Sequence, residues 1–391
     1  MNIALFSDTY PPEINGVATS TFNLRKTLVE HGHNVIVVTT NPFSKYVTYQ
    51  DGILRLPGIK LKALYGYRMS MFYNKKAMDI LSSFHPEVVH CQTDAGIGIF
   101  GGLVASKFHI GSVYTFHTMI EDYTYYVTKG HFDRFARHAV RFFFRGKSNA
   151  YTEFIAPSEK IKDYLRSIRI DTTVSIIPTG VELSRFSPSN ENKEETIALK
   201  KKFGIEKDDY VLLSLGRIAK EKSIDVVIKG FTKFKEKYPQ EKVKLVITGW
   251  GPAEQELKDL ADSLGISSST IFTGKCSPGE TQKYYHLGDC FASASITETQ
   301  GLTFMEAMAS ELIVLARYDD NLSGTIKDNE TGFFFKDEND FPDKLEKVKH
   351  LSDASKKKIV NASLKTIDIY SMKRFYDSII EVYKRVQRKS W

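Results

Sequence analysis

The chain has 391 residues, 42% of them hydrophobic and 26% charged, which is too long for one ordinary core and suits two. That balance is ordinary for a globular protein and excludes collagen, coiled coil and extended disorder. The net charge of +7 is compatible with anionic lipid, nucleic acid or a polyanionic substrate, and the odd set Cys91, Cys276 and Cys290, with no CxxC, argues against disulfides or a zinc site and for a reducing cytoplasm.

The N-terminus lacks a basic region and soon meets Asp8 and Pro11, so it does not read as a signal peptide. No apolar run approaches the roughly 18 to 20 residues of a spanning helix, so any membrane contact is expected to be peripheral. In chain order, continuous apolar stretches at 2–6, 34–39, 88–90, 112–116 and 154–156 predict buried parallel strands in the first half. The first ends at Phe6-Ser7-Asp8-Thr9-Tyr10-Pro11-Pro12, and Asn15-Gly16-Val17 leads into a helix from about Ala18. Gly16 would let backbone approach a phosphate at that helix N-terminus; an ordinary strand-to-helix turn is an equal reading. Residues 60–69 mix cations with aromatic and apolar side chains. His117 closes a buried strand. Over 132–147, helical spacing gathers Arg134, Arg137, His138, Arg141 and Arg145 on one stripe, with Phe132, Phe135, Phe142 and Phe143 on a face turned away. Such a helix suits an anionic interface, where each cation is worth about 1 kcal/mol. Its plain alternative packs the Phe face into a core and shows Arg to water.

The polar stretch 187–195 has no periodicity and marks the expected domain boundary. In the second half strands are predicted at 210–215, 243–248, 270–272, 289–292 and 312–315. After the first comes Gly216-Arg217-x4-Lys222, two cations straddling a strand-to-helix loop. A diphosphate leaving group needs its charge neutralised, and without a metal Arg and Lys must do it. A helix follows with Ser223 as N-cap and Ile224, Val227, Ile228, Phe231 and Phe234 on one face. Thr297-Glu298-Thr299-Gln300-Gly301-Leu302-Thr303-Phe304-Met305-Glu306 follows the strand containing Phe291. Free amides of Gly301, Leu302 and Thr303 can cradle a phosphate. Glu298 and Glu306 can accept paired hydrogen bonds from sugar and ribose hydroxyls, and Glu306, among apolar neighbours, needs a partner. In the last segment Phe375, Ile379, Val382 and Val386 form one helical face. The whole predicts an α/β protein of two Rossmann-like doubly wound parallel-sheet domains facing a central cleft, at 1–190 and 191–370, with a terminal helix at 371–391.

The chain resembles glycosyltransferase family 4, retaining enzymes of the GT-B fold. The resemblance rests on Glu298-x7-Glu306, Gly216-Arg217-x4-Lys222, Gly249-Trp250-Gly251-Pro252 and Pro178-Thr179-Gly180-Val181-Glu182, in order along nearly the whole chain. It implies that Arg217 and Lys222 bind the donor diphosphate, Glu306 the ribose and Glu298 the sugar. Gly16 would pass close to the phosphate, His117 would lie near the sugar and the leaving oxygen, and the last helix would return to the first domain. It also implies front-face transfer without a protein nucleophile, metal or other cofactor. Ala309-Ser310-Glu311 and Thr179 depart from the family pattern. Thr299-Gln300-Gly301-Leu302-Thr303 and the start 6–12 are similar to diacylglycerol glucosyltransferases of Gram-positive bacteria and wall-less relatives. That implies UDP-glucose as donor, a lipid acceptor and Arg134, Arg137, Arg141 and Arg145 at the anionic cytoplasmic membrane face. UDP-galactose, GDP-mannose, a soluble acceptor and a UDP-sugar epimerase remain alternatives. No nucleic-acid motif is present, so no nucleic-acid partner is expected, and GxGxxG is absent after the first strand, against a dehydrogenase.

Overall fold

The computed structural model describes residues 1–13, 15–60, 68–117, 146, 150–190, 192–277, 279–296 and 300–389. The chain divides into two compact units, Met1–Gly180 with Met372–Trp391, and Val181–Ser371.

Unit 1 runs β1 (Asn2–Phe6), α1 (Gly16–Glu30), β2 (Asn34–Asn41), β3 (Thr48–Gln50), β4 (Ile53–Lys60), β5 (Arg68–Ser70), α2 (Lys75–Phe84), β6 (Val88–Cys91), α3 (Gly96–Phe108), β7 (Gly111–Thr115), β8 (Glu153–Ala156), α4 (Glu159–Ser167) and β9 (Val174–Ile176). The sheet order is β3-β4-β2-β1-β6-β7-β8-β9, with β5 on β4. Only β3 and β5 run antiparallel to their neighbour β4; the other pairs are parallel. Ala4 and Phe6 of β1 enter one core with Met78, Phe100 and Leu165 of α2, α3 and α4. Ile3 and Leu5 enter a second core with Leu24 and Leu28 of α1. Because both faces are covered, the central strands are predominantly apolar, with His90 of β6 and Glu153 of β8 among the buried exceptions.

Unit 2 runs α5 (Leu183–Phe186), α6 (Lys193–Lys202), β10 (Tyr210–Leu215), α7 (Ile224–Lys237), β11 (Val243–Thr248), α8 (Glu254–Ser263), β12 (Thr270–Gly274), α9 (Thr281–Tyr285), β13 (Cys290–Ser293), α10 (Leu302–Ala309), β14 (Ile313–Arg317), β15 (Phe333–Phe335), α11 (Phe341–Lys349) and α12 (Asp353–Ile367). Its strands are all parallel, in the order β12-β11-β10-β13-β14-β15. The predicted face of α7 is buried, from Ile224 through Phe231 to Phe234.

The last helix, α13 (Met372–Lys389), belongs to unit 1, where Phe375, Ile379, Val382 and Val386 join the core of Ile3 and Leu5. A Cβ on Gly111 would stand 2.5 Å from the Val386 carbonyl oxygen, so the bare backbone of β7 is what lets α13 lie so close. Arg385 of α13 reaches Glu153, whose side chain is fully buried, at 2.6 Å.

The division differs from the expected 1–190 and 191–370: it falls after Gly180 and after Ser371. The polar stretch 187–195 lies inside unit 2, just after Phe186 enters that unit's core, and Asn192 caps α6 by accepting from Glu195 N. Its described residues form a 3₁₀ turn (Pro188–Asn190) and the start of α6 rather than a linker. The short strands β3, β5, β9 and β15 and the Pro57-Gly58-bearing β4 escaped prediction. All lie at or beside sheet edges, where burial is incomplete and the apolar run is broken.

Candidate active site

In unit 2 the loops that carry the candidate residues follow the C-terminal ends of β10, β11 and β13. Gly216 and Arg217 leave β10, and the turn 249–252 leaves β11 directly against them. Ile218 N donates to Trp250 O at 3.1 Å, and Ala253 N donates to Ile218 O at 3.1 Å. A Cβ on Gly249 would stand 1.8 Å from Gly216 O, and one on Gly251 2.1 Å from Ile218 O. Gly249 also has φ 142°, a conformation that side chains disfavour. The two glycines are therefore what allow the Arg217 loop to seat on its neighbour. The guanidinium of Arg217 is bound by the nearly buried Glu221 carboxylate one turn on, which fixes its direction. Lys222 closes a single 3₁₀ turn, Lys220–Lys222. Ser223 then holds the N-cap position of α7 in a left-handed conformation, and its side chain makes no capping bond.

Gly301 precedes α10 with φ 75° and accepts from Phe304 N through its carbonyl. The first helical amides, those of Leu302 and Thr303, therefore begin at a bare turn, the arrangement that favours an anion. Glu306 lies further along α10, with Phe304, Met305, Ala307 and Met308 all buried around it. Its expected partner is the fully buried Tyr285, whose Oη donates to Glu306 Oε2 at 2.8 Å. Burial raises the Glu306 pKa to about 7, against the lowering effects of the Tyr285 hydrogen bond and of Arg185. Arg185, on α5, is itself braced by Gln282 Oε1 at 2.7 Å and Thr281 Oγ1 at 3.1 Å.

In unit 1, Gly16 is the first residue of α1, capped by Asn15, whose Oδ1 accepts from Ala18 N at 2.9 Å. A Cβ at Gly16 would meet nothing within 4 Å, so the fold itself does not demand glycine there. Asp8, just past β1, is buried and accepts from Thr93 Oγ1 at 2.6 Å and Ile97 N at 2.9 Å, so it ties the end of β1 to the start of α3. His117 stands two residues past β7, with its Nε2 2.6 Å from Gln92 Oε1. Burial lowers its pKa to about 4, so the imidazole is neutral at pH 7. His90 of β6 lies between Thr115 Oγ1 and Tyr383 Oη, each at 2.7 Å, and burial lowers its pKa to about 3.

Residues 14–185 match the model of Glycosyltransferase Family 4, and residues 195–365 that of Glycosyl transferases group 1. Two relatives are named alpha-monoglucosyldiacylglycerol synthase. That of Streptococcus pneumoniae is 36% identical over 87% of this chain and 76% of its own length. That of Acholeplasma laidlawii is 38% identical over 86% of this chain and 85% of its own. The chain belongs to glycosyltransferase family 4. A solved glycosyltransferase of Rickettsia africae superposes over 98% of both chains with TM-score 0.73 at 19% identity, which shows the GT-B fold.

As a family 4 hexosyltransferase the chain carries its donor-type signals in unit 2, where Arg217, Lys222, Gly301, Leu302, Thr303 and Glu306 all stand on loops or helix starts after parallel strands. Glu298 lies outside the described residues, as do Arg134, Arg137, Arg141 and Arg145. Tyr285, Arg185 and Gln92 were missed from sequence. Gln92 carried a usable signal, a polar residue directly after a buried strand, the same signal that marked His117. Among the described residues one group of metal-ligating type is brought together, Glu241, Glu346 and His350. Lys349 binds Glu241, and the group lies beside the beginning of β10, where Tyr210 N donates to Lys242 O, at the opposite sheet end from Arg217. It reads as an ion-pair network. Among the described residues no helix is long and apolar enough to cross a membrane. The β2–β4–β5 edge nevertheless exposes Phe43, Tyr46, Ile59 and Met71, each more than 70% accessible, with Phe72 and Tyr73 half exposed beside them.

Proposed function

We propose that the protein transfers glucose from UDP-glucose to the free hydroxyl of 1,2-diacylglycerol, with retention, giving monoglucosyl diacylglycerol at the inner face of the cell membrane. The observation that carries this is the 36% and 38% identity, over most of the chain, to two enzymes named for alpha-monoglucosyldiacylglycerol. UDP-glucose holds its sugar in α linkage, so an α-linked product means net retention. The bond from the anomeric carbon to the diphosphate breaks. A bond from that carbon to the acceptor oxygen forms on the same face, and the hydroxyl proton passes to the departing phosphate oxygen.

The nucleotide end of the donor is assigned to unit 2. Arg217 and Lys222 neutralise charge growing on the diphosphate, so no metal or other cofactor is required. The amides of Gly301, Leu302 and Thr303 hold a phosphate, Glu306 accepts from the ribose hydroxyls, and Glu298 is assigned to the sugar. By the family resemblance Gly16 is assigned to the donor phosphate and His117 to the sugar, and the lipid surface is assigned to unit 1. A neutral His117 suits a hydrogen bond to a sugar hydroxyl rather than an ion pair. The exposed Phe43, Ile59, Met71 and Phe72 supply apolar area for a lipid interface, and Arg134, Arg137, Arg141 and Arg145 are assigned to its anionic headgroups.

The test is transfer from radiolabelled UDP-glucose to diacylglycerol in mixed vesicles, with and without anionic lipid and with EDTA present. A labelled glycolipid that increases with anionic lipid and survives EDTA is the expected result. No labelled lipid from UDP-glucose, but label from UDP-galactose or GDP-mannose, would overturn the donor assignment. Label only on a soluble sugar would overturn the acceptor.

A further inference from the structure

We propose that Gln92 is a positioning residue for transfer: it fixes the tautomer of His117 so that Nδ1 is the nitrogen presented to the donor sugar. The inference rests on the reading that His117 meets the sugar.

Gln92 follows β6 at the sheet's C-terminal end. Its backbone N donates to Phe6 O at 2.8 Å, so the ladder with β1 holds its main chain. Its side chain is not needed for that. The residue is 2% exposed, and its carboxamide uses only one side: Oε1 lies 2.6 Å from His117 Nε2, while Nε2 is buried without a hydrogen-bond partner. An amide NH₂ taken from water and left unmatched opposes folding, and an apolar side chain of the same length would avoid that cost. A residue kept at a cost to the fold is the mark of a functional position.

What the carboxamide supplies is an acceptor. The neutral imidazole has one N–H. With Oε1 facing Nε2, that proton sits on Nε2 and donates to Gln92, which leaves the Nδ1 lone pair as the acceptor. The neighbouring His90 cannot compete for this role, because both its nitrogens are engaged, by Thr115 and Tyr383. His117 is thereby set to receive a hydrogen bond from a sugar hydroxyl, and a ring free to exchange tautomers would offer that acceptor only part of the time.

The experiment uses the full chain with whichever nucleotide sugar the wild type turns over. Gln92→Met keeps length and volume and removes the acceptor. Expected is a melting temperature equal to or above that of the wild type, UDP affinity unchanged, and kcat lowered roughly 10-fold, the worth of one well-aimed hydrogen bond. A purely structural residue would instead lose melting temperature and activity together, and that result overturns the proposal, as does an unchanged kcat. His117→Asn places an acceptor near the Nδ1 position, and His117→Gln near Nε2. His117→Asn is expected to keep more transfer, and the reverse order overturns the tautomer. Full transfer by His117→Ala would bring down the placement of His117 against the sugar, whereas loss there with none in Gln92→Met overturns Gln92 alone.

Discussion

Arg217 and Glu306 illustrate how one residue type changes meaning with its surroundings. Arg217 is about a third exposed and aimed by the Glu221 carboxylate, which gives a flexible cation a fixed direction. If it and Lys222 neutralise the departing diphosphate, Arg217→Ala and Lys222→Ala each lower kcat by on the order of 10²-fold, with EDTA making no difference. Steady-state kinetics on vesicles measures this, and near-normal kcat in both variants would remove their assigned role. Glu306 is a carboxyl in an apolar helix face, with its pKa raised by burial to about 7. If Glu306 holds the ribose, its ionised form accepts on both oxygens whereas the acid loses one to its own proton, so UDP affinity should rise as pH passes upward through about 7. Calorimetric titration at pH 6 and pH 8 checks this, with Glu306→Gln expected to show little difference between them. An equal pH effect in wild type and variant would assign it to another group.

At the scale of elements, α13 shows how a distant segment is held. Its apolar face enters the core of unit 1, and Gly111 admits the Val386 backbone. Glu153 on β8 is wholly buried, and it is bound by Arg385 at 2.6 Å and Ser175 Oγ at 2.6 Å. A buried carboxylate that loses its cation is left uncompensated, but Arg385 is 43% exposed, so Arg385→Met should lower the unfolding free energy by about 1 to 2 kcal/mol. Urea denaturation measures the loss, and the double variant with Glu153→Gln should recover part of it. The phosphate-type loops obey the same logic: the turn 249–252 is a seat for the Arg217 loop, made by two residues without side chains.

For the whole molecule, the exposed apolar edge of unit 1 makes a claim that the net charge of +7 alone could not. Replacing Phe43, Met71 and Phe72 together by Asp should abolish most binding to anionic vesicles in co-sedimentation, while UDP binding stays intact. Unchanged vesicle binding would leave the lipid interface to other segments.

Much of this architecture is legible in the residues alone. Parallel strands covered on both faces are predominantly apolar, so the central strands of both sheets are placed from sequence within a residue or two of their ends. The Gly216-Arg217-x4-Lys222 loop and the Gly301 helix start are contiguous in sequence, and the need of Glu306 for a partner follows from its apolar neighbours. The partner's identity does not follow. Tyr285 stands 21 positions from Glu306, Gln92 25 positions from His117, and His90 293 from Tyr383. Periodicity and turn chemistry act over a few residues, whereas these pairs exist because strand order places separate strand ends and helices side by side. Sequence by itself determined the two α/β sheets and the family. That the last helix returns to unit 1 was already implied by the family resemblance. Only the tertiary structure decided where the units divide and which buried side chain holds each candidate in place, because a hydrogen bond depends on distances that only the assembled sheet sets.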